Sequence, residues 1–260
     1  MIRRRFALLL ASLTLAACAA SPTAVPVGHV TAAKFGDSKP VDWTGHAPHR
    51  FAVHGIDVAR FQQSIDWPQA RAHGVNFAFI KATEGGDRRD IMFDDHWEGA
   101  GRAGVARGAY HFYYFCTSPE DQARWFIRNV PRGSGDLPPV LDMEWNPLSP
   151  TCAHRRPPGN VVRDEMRRFL RLVSNHYGQR PIIYTTPKFY RENELDRFDG
   201  YDFWLRSTAR TPAEVYPGQN WTFWQYTATG KVPGAVGAID LNTFYGSHGD
   251  WAEWLARRRQ

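Results

Sequence analysis

The chain has little of several things that would decide a function quickly. It holds three cysteines and four methionines in 260 residues. Its one sustained apolar run, residues 6–15, is about ten residues long and too short to span a bilayer. There is no Gly-x-x-x-x-Gly-Lys-Ser/Thr loop and no Gly-x-Ser-x-Gly elbow, so nucleotide-hydrolase and serine-hydrolase readings have no support. Ten histidines are present, yet no His-Glu-x-x-His, His-x-His or Cys/His zinc spacing occurs, and neither a metal nor a cofactor is expected. His54 and His111 read instead as packed or hydrogen-bonded residues. A formal charge of +6 gives no reason to expect a nucleic-acid partner. No low-complexity segment and no repeat of 20–50 residues is visible, which argues against a solenoid.

What is present begins at the N-terminus. Arg3, Arg4 and Arg5 precede the apolar run, and the run ends in Leu15-Ala16-Ala17-Cys18. That order resembles a lipoprotein signal, in which residues 1–17 are removed and the Cys18 thiol is acylated. The expectation is an exported bacterial lipoprotein held to the membrane through Cys18. Ala19 favours the outer membrane, facing the periplasm. Loss of the three arginines would leave 29 basic against 26 acidic residues, a net +3. Residues 18–50 are rich in Pro, Ala, Thr, Gly and His without helix or strand periodicity, and read as the acylated cysteine and a flexible tether. Cys116 and Cys152 remain, an even pair in an oxidising compartment, and are expected to form a disulfide.

Residues 51–260 read as one domain. Short apolar or aromatic runs at 51–58, 76–83, 109–115, 139–145 and 181–185 are strand candidates, with helical patterns between them. The clearest helix covers 161–177, with Val162, Met166, Phe169, Leu170, Val173 and Tyr177 on one face, Asn160 as N-cap and Gly178 as terminator. Strand–helix alternation predicts a parallel sheet. The last third differs: 201–207, 222–227 and 237–244 are strands with short links, and a final helix covers 250–258.

The chemistry lies in the acids. In Val140-Leu141-Asp142-Met143-Glu144-Trp145, strand alternation places Asp142 and Glu144 on one face, Cα atoms about 6.6 Å apart. At the C-terminal end of a barrel strand that face opens into the site. Two carboxylates so close do not readily both ionise, which suits a general acid beside an anion in glycosidic cleavage. Asp57 and Asp240 each end an apolar strand, the first and the last, which are neighbours in a closed barrel. Such acids have a partner or a task. Aromatic residues crowd the same strand ends: Tyr110, Phe112, Tyr113, Trp145, Tyr184, Trp204, Trp224 and Tyr226. Of these, Tyr110, Trp145, Tyr184 and Trp204, with Gln225, are the expected sugar-binding set.

Six segments in order carry a family resemblance: Gly55-Ile56-Asp57-Val58; Phe79-Ile80-Lys81-Ala82-Thr83-Glu84-Gly85; Gly108-Ala109-Tyr110-His111-Phe112; Leu141-Asp142-Met143-Glu144; Trp224-Gln225-Tyr226-Thr227; and Ile239-Asp240-Leu241-Asn242. Together they resemble the glycoside hydrolase family 25 lysozymes over about residues 53–246. The resemblance implies an α/β fold, a single flattened TIM-like (β/α)5(β)3 barrel. It implies hydrolysis of the β-1,4 bond between N-acetylmuramic acid and N-acetylglucosamine in peptidoglycan glycan strands. It makes Glu144 the general acid/base and Asp142 the group that assists the substrate 2-acetamido, with Asp57 and Asp240 tuning the site and Tyr184 lining it. A monomer is expected. Two alternatives stay open: a barrel that binds peptidoglycan without cutting it, and a metal-dependent hydrolase using the aspartates as ligands.

Overall fold

The computed structural model describes residues 28–133, 135–149 and 151–258. The expected signal segment and Cys18 lie outside the described residues.

Eight strands close into a barrel: β1 (His54–Val58), β2 (Phe77–Glu84), β3 (Ala106–Phe112), β4 (Val140–Met143), β5 (Ile182–Thr185), β6 (Phe203–Arg206), β7 (Phe223–Lys231) and β8 (Ile239–Phe244). Strands β1 to β7 run parallel, and β8 closes the ring antiparallel to both β7 and β1. Five helices, α1 (Trp67–Ala72), α2 (Phe93–Arg102), α3 (Pro119–Asn129), α4 (Gly159–Tyr177) and α5 (Pro187–Glu192), follow the first five strands. After β6 there is only the four-residue turn α6 (Pro212–Val215), and β7 and β8 form a hairpin. The fold is therefore the α/β barrel that alternation and the helix-poor last third imply.

Alternation along each strand sorts the side chains. In β2, Phe77 and Phe79 point into the barrel, while Ala78, Ile80 and Ala82 face the helical layer. In β4, Val140 points inward, and Leu141 and Met143 meet the helices. Burial on both faces explains why these strands read as nearly continuous apolar runs. Gly55 sits opposite Phe77, and a Cβ there would lie 2.3 Å from the Phe77 carbonyl oxygen and 2.6 Å from its ring. The inward Phe77 therefore requires glycine on the neighbouring strand.

Helix α4 buries Val162, Met166, Phe169, Leu170 and Val173, and ends at Gly178, whose φ of 73° is left-handed. Full burial of each large apolar side chain contributes about 1.5–3 kcal/mol. The start differs from expectation. The cap position is Pro158, without a side-chain cap bond, and Asn160 lies inside the first turn. The final helix, α7 (His248–Arg258), closes the bottom of the barrel. Trp251 packs against Phe77 and Phe244 at ring distances of 5.6 and 5.1 Å, and Trp254 against Phe223 at 5.3 Å. Among the described residues no helix is long and apolar enough to cross a membrane.

Residues 28–50, expected to belong to the flexible tether, are packed on the barrel instead. Gly36–Asp37 pair antiparallel with Lys231 and Gly230. Asn76 and Arg71 hydrogen-bond Thr31, and the Trp43 ring meets Trp224 at 5.1 Å. A composition without periodicity hides this, because the order comes from partners far along the chain.

Candidate active site

The inward-pointing positions at the C-terminal ends of the strands are polar where the deeper ones are apolar. That switch creates a cleft of about 610 Å3 at the barrel mouth. Asp57, Asp142, Glu144 and Asp240 all line it, with Tyr110, Tyr184, Trp204 and Gln225. Backbone register fixes two of the contacts: Asp57 pairs with Asp240 across β1 and β8, and Asp142 with Tyr184 across β4 and β5.

The four acids sit in different fields. Burial pushes the Glu144 carboxyl from its usual 4.5 up to about 7; Arg206 and Lys81 pull it back, and Asp57 adds to the rise. Burial also lifts Asp240 to about 8, with Asp57 as the next cause and Arg206 opposing. Asp57 rises to about 6, less than its burial alone would give, because the Asn242 and Gln225 amides and the charge of Arg206 stabilise its anion. Asp142 is held well above the carboxylate range by burial and then by Glu144, with Lys81 opposing. Its Oδ1 is buried and, among the described residues, has no hydrogen-bond partner. A buried acceptor left in this way costs about 1–3 kcal/mol unless something else fills the position.

A hydrogen-bond chain aims Asp57. Gln225 Nε2 and Asn242 Nδ2 both donate to its Oδ2, at 2.9 and 2.8 Å. Gln225 in turn accepts from the Tyr184 hydroxyl at 2.9 Å, and Asn242 from the Trp204 indole N–H at 2.7 Å. Trp204 is wedged against Phe79 and Tyr184, each at 4.4 Å, so the floor of the cleft is rigid. The Tyr110 hydroxyl is held protonated by burial and by Asp57, Asp142 and Asp240, and remains a donor toward the cleft.

Sequence reasoning passed over the cations. Lys81 sits between the acids and the wall, ion-paired with Glu84 and 5.0 Å above the Phe112 ring. Arg206 lines the opposite side. Both were detectable as inward charges that follow apolar inward positions: Phe77, Phe79, Lys81 in β2, and Trp204, Arg206 in β6. Glu84, Tyr114 and Arg88 extend the same wall; the Tyr114 hydroxyl donates to Glu84 at 3.2 Å.

Trp145, expected to bind sugar, is not among the cleft-lining residues. Its ring packs against Phe115 and Phe189 at 5.3 and 4.7 Å, and its indole N–H donates to Glu192 at 2.5 Å. The reason is geometric. β4 ends at Met143, and alternation carries Glu144 inward and Trp145 outward. Tyr113 and Trp224 are likewise fully buried and outside the cleft lining. His54 and His111 are buried and hydrogen-bonded, His111 to Thr83 and Gln122 and His54 to the Phe51 carbonyl.

Cys116 and Cys152 are joined, with Cα atoms 5.8 Å apart. The bond ties the segment after β3 to the loop after β4. That loop supplies Asn146, Leu148 and Ser149 to one lip of the cleft; Arg60, Phe61 and Gln62 form part of the other rim.

Among the described residues no cluster of three or more His, Cys, Asp or Glu side chains is arranged to hold a metal. The site is instead a ring of acids, two opposing cations and a tyrosine–tryptophan floor, the equipment for acid–base work on a glycan.

The sequence model of Glycosyl hydrolases family 25 matches residues 56–235. Lysozyme M1 of Streptomyces globisporus is 36% identical over 208 residues, covering 75% of this chain and 68% of that protein. A family 25 glycosyl hydrolase from Bacillus anthracis superposes with a TM-score of 0.71 at 34% identity, covering 83% of this chain and 99% of the other. A lysozyme from Streptomyces coelicolor gives 0.70 at 33% identity over 80% and 98%. The chain therefore belongs to Glycosyl hydrolases family 25 and is a glycoside hydrolase.

Proposed function

We propose that the protein is a muramidase that hydrolyses the β-1,4 bond between N-acetylmuramic acid and N-acetylglucosamine in peptidoglycan. The observation that carries this reading is Glu144, lifted to about 7 inside a glycan-sized cleft that it shares with three aspartates. Relatives that are named lysozymes support the substrate class.

In this mechanism Glu144 donates its proton to the glycosidic oxygen as the bond breaks. The acetamido oxygen at C2 of the same sugar attacks the anomeric carbon from the other face. Asp142 accepts a hydrogen bond from the acetamido N–H on its unpartnered Oδ1, which orients the group for attack. Glu144, now a carboxylate, removes a proton from the incoming water, whose oxygen restores the sugar with retained configuration. Asp57 is more acidic than Glu144 and Asp240, and its anion faces the developing positive charge. Because the Asn242 and Gln225 amides hold Asp57 more acidic than Glu144, an anion and a proton donor coexist in the cleft. A barrel that only binds glycan has no need of an acid tuned in this way.

The test is mass analysis of products from purified peptidoglycan. Reducing muramic acid ends are expected, and Glu144→Gln should release none while still binding the wall. A wild-type protein that releases no fragments would leave the binding-only reading. A 1,6-anhydro end would indicate a lytic transglycosylase, and a reducing glucosamine end a glucosaminidase.

We also propose export as a lipoprotein acylated on Cys18, at the outer membrane and facing the periplasm, acting there as a monomer. Cys18→Ser should move the protein from the membrane fraction to the soluble fraction; equal distribution of the two forms refutes the anchor.

A further inference from the structure

A second groove leaves the catalytic cleft and runs past the disulfide. It encloses about 570 Å3, within the ~300–1,000 Å3 usual for ligand pockets. Arg88 and Tyr114 line both spaces, so the two adjoin. Its floor is the Cys116–Cys152 bond with Thr117 and Thr151, and its outer wall is α3. Arg124 and Arg128, one helical turn apart on α3, line it, and Arg88 stands at its junction with the cleft. The wall is tied to the junction: the Trp125 indole donates to the Arg88 carbonyl at 2.9 Å, and Arg128 lies 5.3 Å over the Trp125 ring.

The acids in this groove are Asp87 and Asp121. Asp121 is already engaged by Arg124 at 2.6 Å and by the Ser118 hydroxyl at 2.6 Å. Arg88 reaches Glu84 only at 3.7 Å. Among the described residues Arg128 makes no ion pair, and it is exposed. The groove therefore offers guanidinium donors not fully used by the protein, on a rigid helix, beside the point where a sugar would lie. Forked guanidinium donors suit carboxylates.

We propose that this groove binds the acidic peptide branch carried on the lactyl group of the muramic acid in the cleft. Arg124 and Arg128 would pair with its free carboxylates. The identity of the peptide rests on the muramidase reading. The groove would make the enzyme prefer glycan that carries peptide over bare glycan, through binding rather than through the chemical step.

Two measurements test this. In the first, 15N-labelled protein with its disulfide intact is titrated with the free stem tetrapeptide. Saturable shifts are expected at the Gly86 and Thr117 amides and the Trp125 indole N–H. Arg124→Glu with Arg128→Glu should weaken the apparent Kd about three- to ten-fold, and Arg124→Lys with Arg128→Lys should retain most of the binding. Both arginines are exposed and lie outside the catalytic cleft, so the fold should hold. Absent shifts, or an equal Kd in the double glutamate variant, overturn the proposal. In the second, hydrolysis of peptide-bearing glycan is compared with that of amidase-stripped glycan. The wild type should show a lower KM on the former at equal kcat. The double glutamate variant should lose that difference and keep its rate on stripped glycan. An unchanged preference in the variant overturns the groove assignment. Failure to cut either glycan refutes the muramidase reading instead, while the peptide titration still decides the groove.

Discussion

Replacing Glu144 by Gln should abolish hydrolysis and at the same time make the protein more stable at neutral pH. In the folded barrel burial raises this carboxyl from 4.5 to about 7. The raised value means that the folded state holds the proton more tightly than the unfolded chain. The stability tied to that proton is fully present below pH 4.5 and is lost as pH climbs to about 7. The span is about 2.5 pH units at about 1.36 kcal/mol each, or about 3 kcal/mol. Glutamine has nearly the same shape and no proton to lose, so the variant avoids this loss. Relative to wild type it should gain little at pH 4 and up to about 3 kcal/mol at pH 8. For a domain of this size that is a Tm increase of about 6–12 °C. Urea unfolding of both forms, with the disulfide intact, at half-unit steps from pH 4 to 8 gives the difference curve. The reasoning is refuted if that curve is flat or falls with pH, since a flat curve would mean that Glu144 ionises as freely as in the unfolded chain. A variant that still releases muropeptides refutes its role as the acid.

Four further changes separate the remaining roles. Arg206 holds the Glu144 anion down, so Arg206→Gln should move the alkaline limb of kcat/KM upward by about one pH unit, the size of a charge interaction across ~10 Å at an effective dielectric of ~20; an unmoved limb removes Arg206 from the tuning. Asn242→Leu withdraws one of two donors from Asp57 and strands the Trp204 indole N–H. It should raise the acid limb from about 6 and lower stability by about 1–3 kcal/mol, checked by a pH–rate profile and denaturant unfolding. Trp145→Ala should lower stability by about 2–4 kcal/mol with KM unchanged, because the ring packs on Phe115 and Phe189 outside the cleft; a raised KM would return it to the binding set. Cys116→Ser with Cys152→Ser opens a link of 36 residues and should cost about 3–4 kcal/mol in unfolding experiments, and retention of full stability would show that the loop is held by other contacts.

The strand order and the positions of all four acids were legible because they rest on local pattern. Asp142 and Glu144 are two residues apart, and a period of two puts them on one face. Asp57 lies near the C-terminal end of β1, but Asp240 stands at the start of β8, not at its end as expected; because β8 returns antiparallel, that start meets Asp57 at the mouth. The same alternation, applied one residue further, would have turned Trp145 away from the cleft; an aromatic next to a catalytic acid was a proximity argument, and proximity in sequence misleads where side chains alternate. What could not be read were pairings that depend on three-dimensional closure. The bonds that hold Asp57 come from Gln225 and Asn242, 168 and 185 residues away. The packing of residues 28–50 depends on Lys231 and Gly230, which look from the sequence like an ordinary strand end. Lys81 and Arg206 were visible as isolated charges, but their importance emerges only once four acids are known to face them.

Four acids over one cleft repel one another and resist burial, so the barrel must hold them with structure located elsewhere. The two ends of the barrel divide that work. The lower end is closed by Trp251 and Trp254 against Phe77, Phe223 and Phe244, and contributes apolar burial without a polar atom needed for chemistry. The upper end keeps its polar groups because each acid has a different counterweight: two amides for Asp57, and the opposing charges of Arg206 and Lys81 for Glu144. This division explains why the four acids do not titrate alike. Equal environments would give a group of acids that lose their protons together, with no pH at which a donor and an anion coexist. The separation of Asp57 near 6 from Glu144 near 7 is narrow, and it depends on side chains donated by β7 and β8. The hairpin that replaces the helical crossovers at the end of the chain is thus part of the acid–base apparatus: its antiparallel return sets Asn242 opposite Gln225, and both amides donate to Asp57.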